Sequence, residues 1–274
     1  MSTNEYKDGV SNADYHADSA VSKSQLDHIA ESPAVLEWSK GAPVDEDALA
    51  TLEFGTALHA LLLEPESFKA TYVRAPKFDR RTKDGKLAAA EFEQAHAGKQ
   101  VIDADDWKAL MLCYDSVMAH PTARELLEAE GVSERSYFWT DTETGIRCRC
   151  RPDRLLTNMG WIADVKTTDD IDGFFSSAHD YRYHVQDSYY TDGYAAVHGE
   201  PPRAFLFIAV GKRRALGRYP VRVYSLPAAM KAHGRRLYRA NLRDYADALE
   251  SGNLRGIQTL GMPDWYTRSL DAGA

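Results

Sequence analysis

The spacing of apolar positions changes character twice along the chain. Ser22 to Ser24 offer a hydroxyl to cap a helix over Gln25 to Ala30, and Ser32-Pro33 supplies an N-cap with proline at the first helical position of the next. After a loop from Gly41 to Asp47, Leu49, Leu52, Leu58, Leu61 and Leu62 recur at helical spacing from Ala48 to Leu63, with Pro65 just beyond the predicted end. Asp103 to Ala119 predicts another helix, with Leu110, Leu112 and Val117 inward. His120-Pro121 breaks it before a short helix from Ala123 to Glu130, which Gly131 ends.

From Ser136 the period falls towards two. Ser136 to Thr140, Ile146 to Arg151 and Trp161 to Val165 predict strands, and the turns at Asp141 to Gly145 and Thr157 to Gly160 make them an antiparallel meander. Helical spacing returns over Tyr181 to His198. Ala204 to Val210 is a continuous apolar run of the kind buried in a sheet, Tyr219 to Ser225 predicts a further strand, and Gly252 can end a long helix over Ala228 to Leu249. The order of elements predicts a mixed α/β fold. Residues 1–21 are polar and aperiodic and read as a flexible arm, mobile or late to dock; 22–270 show no repeat, low-complexity tract or linker and are expected to form a single domain. Within them, residues 76–100 form a basic excursion with an Asp84-Gly85 turn and an alanine-rich, potentially helical stretch, expected as a surface flap.

Composition narrows the class. The chain has 274 residues, 44% of them apolar, enough for a substantial core, yet no run approaches the ~20 apolar residues of a bilayer span. Its amino terminus lacks the basic and apolar regions of a signal peptide, so a soluble, cytoplasmic protein without a membrane partner is expected. Three cysteines, Cys113, Cys148 and Cys150, cannot build a disulfide framework and suit a reducing compartment. Cys148 and Cys150 share a strand face, but structural zinc requires four ligands.

The net charge of −8 argues against a nucleic-acid partner until its distribution is considered. Between Pro201 and Arg243 there are eleven lysines and arginines and no acid, which leaves −19 on the rest of the chain. Such asymmetry can lay a basic track on an acidic body.

The most informative chemistry lies at Arg151-Pro152-Asp153 and Asp164-Val165-Lys166. Alternation along a strand sends Asp164 and Lys166 to one face and Val165 to the other, and the hairpin returns Asp153 to their neighbourhood. Two carboxylates and an ammonium can hold a hard divalent cation and stabilise charge on a phosphoryl group, the equipment of phosphodiester hydrolysis. His59 can serve as a metal ligand or proton carrier, and Gly55 on the same helical face suggests close approach there. Gln186 and Tyr190, four apart, share a helix face that can hold a phosphate or base edge, whereas Tyr183, Tyr189 and Tyr194 read as core aromatics.

Phe54-Gly55-Thr56-Ala57-Leu58-His59, Arg151-Pro152-Asp153, Asp164-Val165-Lys166-Thr167-Thr168 and Gln186-Asp187-Ser188-Tyr189-Tyr190 resemble, in sequence and order, the GxxxH, D, DxK and QxxxY motifs of RecB-like PD-(D/E)XK nucleases. Tyr181 to Asp187, Gly217 to Val221 and Leu260 to Trp265 are similar to the RecE nuclease-domain family of phages, and the likeness runs from about Ser22 to near the carboxyl end. It implies a central mixed sheet flanked by helices. It further implies that His59, Asp153, Asp164 and the Val165 carbonyl ligate Mg²⁺, or Mn²⁺ in its place, with Glu134 as an additional carboxylate. Lys166 would orient the attacking water, and Gln186 and Tyr190 would complete the pocket around the scissile phosphate. Asp164 stands where many members of the superfamily have glutamate, a form that fits this subgroup.

The resemblance implies a 5′→3′ exonuclease on double-stranded DNA ends that releases mononucleotides and leaves 3′ overhangs. A RecT-type annealing protein would be its partner, and a homo-oligomer, tetrameric in this family, its form. Arg151, Lys212, Arg213, Arg214 and Arg218 are the expected DNA contacts within the basic region, and Lys23, Ser24 and Arg80-Arg81 the candidates for a 5′-phosphate pocket. The alternatives are a single-strand nuclease or endonuclease on the same fold, and a catalytically silent DNA-binding scaffold. Relatives that hold an iron–sulfur cluster need four cysteines, one more than this chain has.

Overall fold

The structure is a computed structural model. It describes residues 4–43, 46–254 and 260–271, the side chains of 46–53 and 271 excepted. Leu49 and Leu52 of the predicted helical stripe therefore lie outside the described side chains.

A five-stranded sheet positions the candidate site, in the order Val221–Tyr224, Ala204–Gly211, Trp161–Thr168, Arg154–Leu156, Val132–Ser133. Trp161–Thr168 runs parallel to Ala204–Gly211 over eight paired residues, and the remaining neighbours are antiparallel. Because strand side chains alternate, the two central strands feed two cores. Ile162, Phe205, Phe207 and Ala209 pack on one face with Leu26, Ile29, Val185, Tyr189 and Leu242. Ala163, Val165, Ile208 and Val210 pack on the other with Ala57, Leu58, Leu110, Val117 and Leu126. Burial on both faces explains why Ala204–Gly211 reads as an unbroken apolar run.

The predicted meander is divided between two sheets. Ser136–Thr140 and Arg147–Cys150 pair with each other and with Glu5–Lys7 in a separate three-stranded sheet. After Pro152 the chain enters the five-stranded sheet as Arg154–Leu156, a strand too short to show periodicity, which pairs with Trp161–Thr168. The amino-terminal residues lie against this framework: Glu5–Lys7 is an edge strand, and Tyr15 in the helix Asn12–Ala17 is buried beside Phe138.

Helix ends follow local chemistry. Ser22 and Gln25 form a reciprocal capping box on Lys23–Glu31, Ser32 caps Pro33–Ser39, and Asp103 caps Ala104–Ala119. Gly252 ends Ala228–Ser251 in the left-handed conformation at φ 65°. Glu46–Leu63 carries the GxxxH motif, and the basic excursion contains a helix, Lys83–Ala95, between the parallel strands Tyr72–Arg74 and Gln100–Ile102. Among the described residues no helix is long and apolar enough to cross a membrane.

The helix Tyr183–His198 packs on Ala228–Ser251 at very short range, where Ser188 Oγ donates to Lys231 O at 2.6 Å. A Cβ on Gly234 would lie 1.9 Å from His184 O, so nothing larger than glycine fits. Gly234→Ala is expected to destabilise the protein by about 3 kcal/mol, seen as a Tm several degrees lower; an unchanged Tm would show that the helices separate freely.

Candidate active site

Four elements converge beside the middle of the long strand Trp161–Thr168. Asp164 and Lys166 share its Ile162 face, as alternation requires, and Asp164 is fully buried. Lys166 Nζ lies 2.5 Å from Asp164 Oδ2, and Gln186 Nε2, from the helix Tyr183–His198, donates to Asp164 Oδ1 at 2.5 Å. Asp153 follows the proline bend between sheets, and its Oδ2 accepts the Val165 N–H at 2.7 Å across the hairpin. His59, from the helix Glu46–Leu63, brings Nε2 to 2.7 Å from Asp153 Oδ2 and Nδ1 to 3.5 Å from Glu134 Oε1.

Glu134 reaches this point through its backbone. It follows the strand Val132–Ser133 with φ 56°, a left-handed conformation that costs a non-glycine residue about 1 kcal/mol, and its N–H donates to Asp153 O at 3.1 Å. Local strain of this kind persists where the surrounding structure over-determines it, and it clusters at functional sites.

The charges explain one another. Burial, reinforced by the charge of Asp153, pushes the Glu134 carboxyl up to about 8 and the Asp164 carboxyl up to about 6. Burial works against charge on His59 and Lys166. It is outweighed by Asp153 and Glu134 at the imidazole, which rises to about 9, and by Asp164 and Asp153 at the ammonium, held above its ordinary range. Burial likewise opposes ionisation of Asp153, but His59, Lys166 and the Val165 N–H together keep its carboxyl below the usual range. Protons thus occupy a site whose carboxylates crowd together.

This arrangement fits a hard divalent cation. One imidazole nitrogen and carboxylate oxygens of Glu134 and Asp153 lie within 4.8 Å of one another, the one such group of histidine, cysteine and acidic residues among the described residues. Glu134 Oε1 is shut off from solvent and makes no hydrogen bond, its nearest partner being His59 Nδ1 at 3.5 Å, so a cation would satisfy it. Asp164 stands outside that triad, held by Lys166 and Gln186. Val165 lines the same cleft, with its N–H turned to Asp153.

The cleft, of about 590 Å³, is also lined by Gly55, Thr167, Thr168, Asp169 and Lys212. A second, of about 640 Å³, meets it at Lys166, Tyr181 and Tyr183 and reaches Lys23, Gln186 and Tyr190. The Tyr190 ring meets Phe205 edge-on at 6.2 Å. Gly55 is not demanded by close packing, because a Cβ there would lie 3.5 Å from Thr167 Oγ1, an ordinary contact.

The expected cationic contacts divide. Lys212 lines the cleft, 3.6 Å from Asp169, and Arg213, Arg214 and Arg218 are exposed on the loop that follows. Arg151 is engaged elsewhere: it donates to Ser136 Oγ at 2.9 Å and Val10 O at 3.0 Å and lies 4.0 Å over the Tyr15 ring. These contacts tie it to the amino-terminal segment. The helical half of the basic tract is largely neutralised, with Lys231 on Asp187, Arg235 on Asp192, Arg239 on Asp141 and Arg243 on Glu143. Of the phosphate-pocket candidates, Lys23 and Ser24 line the second cleft, whereas Arg80 pairs with Glu93 and Arg81 with Asp79 away from it.

Tyr183 is buried in the core as its sequence predicts, yet it also lines the cleft, with Lys166 Nζ 5.1 Å over its ring and Tyr181, the C-cap of the helix Phe174–Asp180, beside it. The sequence offers no sign of a site role for either ring beyond their nearness to the QxxxY motif.

A structure described as a candidate exonuclease from Eubacterium rectale superposes with a TM-score of 0.61 at 13% identity, covering 97% of this chain and 99% of that one. A phage-related exonuclease from Haemophilus somnus is 13% identical over 63% of this chain and 85% of its own, with a TM-score of 0.30. The first likeness shows the fold. No curated protein matches the sequence. The profile of one family does match, over residues 22–253, a span that holds both hairpins, the GxxxH helix and every residue of the carboxylate cluster. The chain belongs to that family, the PDDEXK-like domain of unknown function (DUF3799).

Proposed function

We propose that the protein is a divalent-metal-dependent deoxyribonuclease that hydrolyses phosphodiester bonds in the Lys166 cleft, acting as a 5′→3′ exonuclease on double-stranded ends. The observation that carries this reading is the convergence of Glu134, Asp153, His59, Asp164 and Lys166, from four elements, into one cluster whose His59, Asp153 and Lys166 line the cleft. Glu134, Asp153 and His59 would hold the cation, with Asp164 and the Val165 carbonyl available beside them. A bound Mg²⁺ or Mn²⁺ supplies Lewis acidity towards water and phosphate.

The chain's own groups do the rest. Lys166, charged and directed by Asp164, places positive charge where the phosphate accumulates negative charge. Gln186 acts through Asp164, fixing the carboxylate that holds Lys166. Lys212 and the exposed arginines after it meet flanking phosphates. Residues 22–270 act as one nuclease unit on this reading. Its products, mononucleotides and a 3′ single strand, suit a RecT-type annealing partner, and a tetramer enclosing DNA is the assembly proposed.

Linear duplex labelled separately at each 5′ and 3′ end, with a closed circle beside it, tests the reading in Mg²⁺ and in EDTA. Early metal-dependent loss of the 5′ label with the circle spared is expected. A cut circle would make the protein an endonuclease, and binding without cleavage a scaffold. Alanine at Arg213, Arg214 or Arg218 is expected to lower the salt dependence of DNA affinity by about one unit of log–log slope each. Arg151→Ala should leave that slope unchanged and lower Tm, and the reverse pattern would return Arg151 to the DNA surface.

A further inference from the structure

We propose that Tyr181 is a stacking platform for the base beside the scissile phosphate, an inference that rests on the nuclease reading above. Solitary exposed aromatics are ordinary on protein surfaces. Tyr181 differs in its place, its anchoring and its backing.

It is 64% exposed and lines both clefts where they meet at Lys166. A nucleotide whose phosphate lies against Lys166 has its base within reach of this ring: Lys166 Nζ is 5.1 Å from the Tyr183 centroid, and Tyr183 is 5.9 Å from Tyr181.

The backbone at Tyr181 is held from several sides. Its carbonyl accepts Lys23 Nζ at 2.6 Å, and its N–H donates to Ser177 O at 2.9 Å. The next residue, Arg182, is in the left-handed conformation at φ 54°, fixed by its guanidinium on Leu26 O, Asp27 and Asn241 at 2.7–3.1 Å. That strain and those bonds present an aromatic ring to a cleft instead of burying it.

The ring is also backed by others. Tyr181 lies over Tyr183 at an interplanar angle of 24°, and Tyr183 over Phe207 at 23° and 5.5 Å. Three near-parallel rings thus run from the core to the cleft, and a base laid on Tyr181 continues the stack. Every base has a π-face, so such a platform favours nucleic acid without selecting sequence.

The test is a coupling cycle in Lys166→Ala protein, which is expected to bind DNA without cutting it. Oligonucleotides, single-stranded and duplex, carry an abasic residue at successive positions from either end, and affinities are measured by fluorescence anisotropy in Mg²⁺. Tyr181→Ala is expected to weaken binding of intact DNA by between about fivefold and about a hundredfold. It should weaken binding far less when the base at one particular position is missing. Tyr181→Phe, which keeps the ring, should bind like its parent, and Tm should not change because the side chain is exposed. No loss, or equal loss on every oligonucleotide, overturns the proposal. Cleavage of the same DNA by protein with Lys166 intact separates the two readings. Cutting without coupling overturns the platform alone, coupling without cutting overturns the nuclease alone, and absence of DNA binding overturns both.

Discussion

Lys166→Met is expected to lower the cleavage rate at saturating DNA by at least 10²–10³-fold, the range for removing one preorganised charge-stabilising group, with affinity for DNA changed little. Methionine keeps most of the lysine's length and removes the charge that sits 2.5 Å from Asp164. Asp164 then loses its counter-charge inside the protein. Breaking a buried pair from one side costs on the order of 3–5 kcal/mol when the remaining charge stays ionised. Asp164 has an escape, because its carboxyl is already pushed up to about 6 by burial and by Asp153 and takes a proton more readily once Lys166 is gone. The variant should therefore fold well near pH 6 and lose stability as pH rises. Rate, affinity and Tm measured on one preparation decide the matter. A loss of less than tenfold, with the fold intact, would remove Lys166 from the chemistry.

The second large effect concerns the cation. In metal-free protein Glu134 holds its proton up to about pH 8 and His59 up to about pH 9. Both folded values lie above the ordinary ones, so the folded state binds more protons than the unfolded state between about pH 4.5 and 9. Stability must then fall as pH rises through that window, and Asp164 adds to the fall between about 4 and 6. The depressed carboxyl of Asp153 acts in the other direction, below about pH 4. The expected loss between pH 6 and 9 is on the order of 6 kcal/mol, a little under half of it from Glu134 and the rest from His59.

A divalent cation reverses the trend, because it binds the deprotonated ligands and releases their protons. The rise in Tm from millimolar Mg²⁺ or Mn²⁺ should therefore grow from pH 6 to pH 8. Glu134→Gln should be more stable than the parent in EDTA at pH 8 and gain less from the metal. A metal-induced shift that is flat with pH, or the same in Glu134→Gln, would exclude Glu134 as a ligand.

Much of this site is written locally. The alternation of Asp164, Val165 and Lys166 is the period of a strand, and the structure places Ile162, Asp164 and Lys166 on one face and Ala163 and Val165 on the other. Helix starts at Ser22, Ser32 and Asp103 are legible because a capping hydroxyl or carboxylate acts within three residues.

What escaped has longer reach. Arg154–Leu156 and Val132–Ser133 are too short for any period to register, and the division of the meander at Pro152 depends on which sheet receives the next strand. No signal in the sequence marks a glutamate for φ 56°. The basic tract was legible as charge but not as surface, because Asp187, Asp192, Asp141 and Glu143, which neutralise its helical half, come from other elements. The partners of Arg151 were illegible for the same reason, since they lie in the amino-terminal segment and on Ser136.

The contact of His59 with Asp153 has a mechanical consequence. It joins the helix Glu46–Leu63 to the bend that enters the strand Arg154–Leu156, beside the packing of Ala57 and Leu58 on the sheet. A cation held there by Glu134 as well would clip shut the long loop between His59 and Asp153, as a cross-link does, by removing chain entropy from the unfolded ensemble. Loading the site is therefore expected to hold the helical layer more firmly on the sheet, which limited proteolysis with and without Mg²⁺ would register as fewer early cuts between residues 54 and 130 in the presence of the metal.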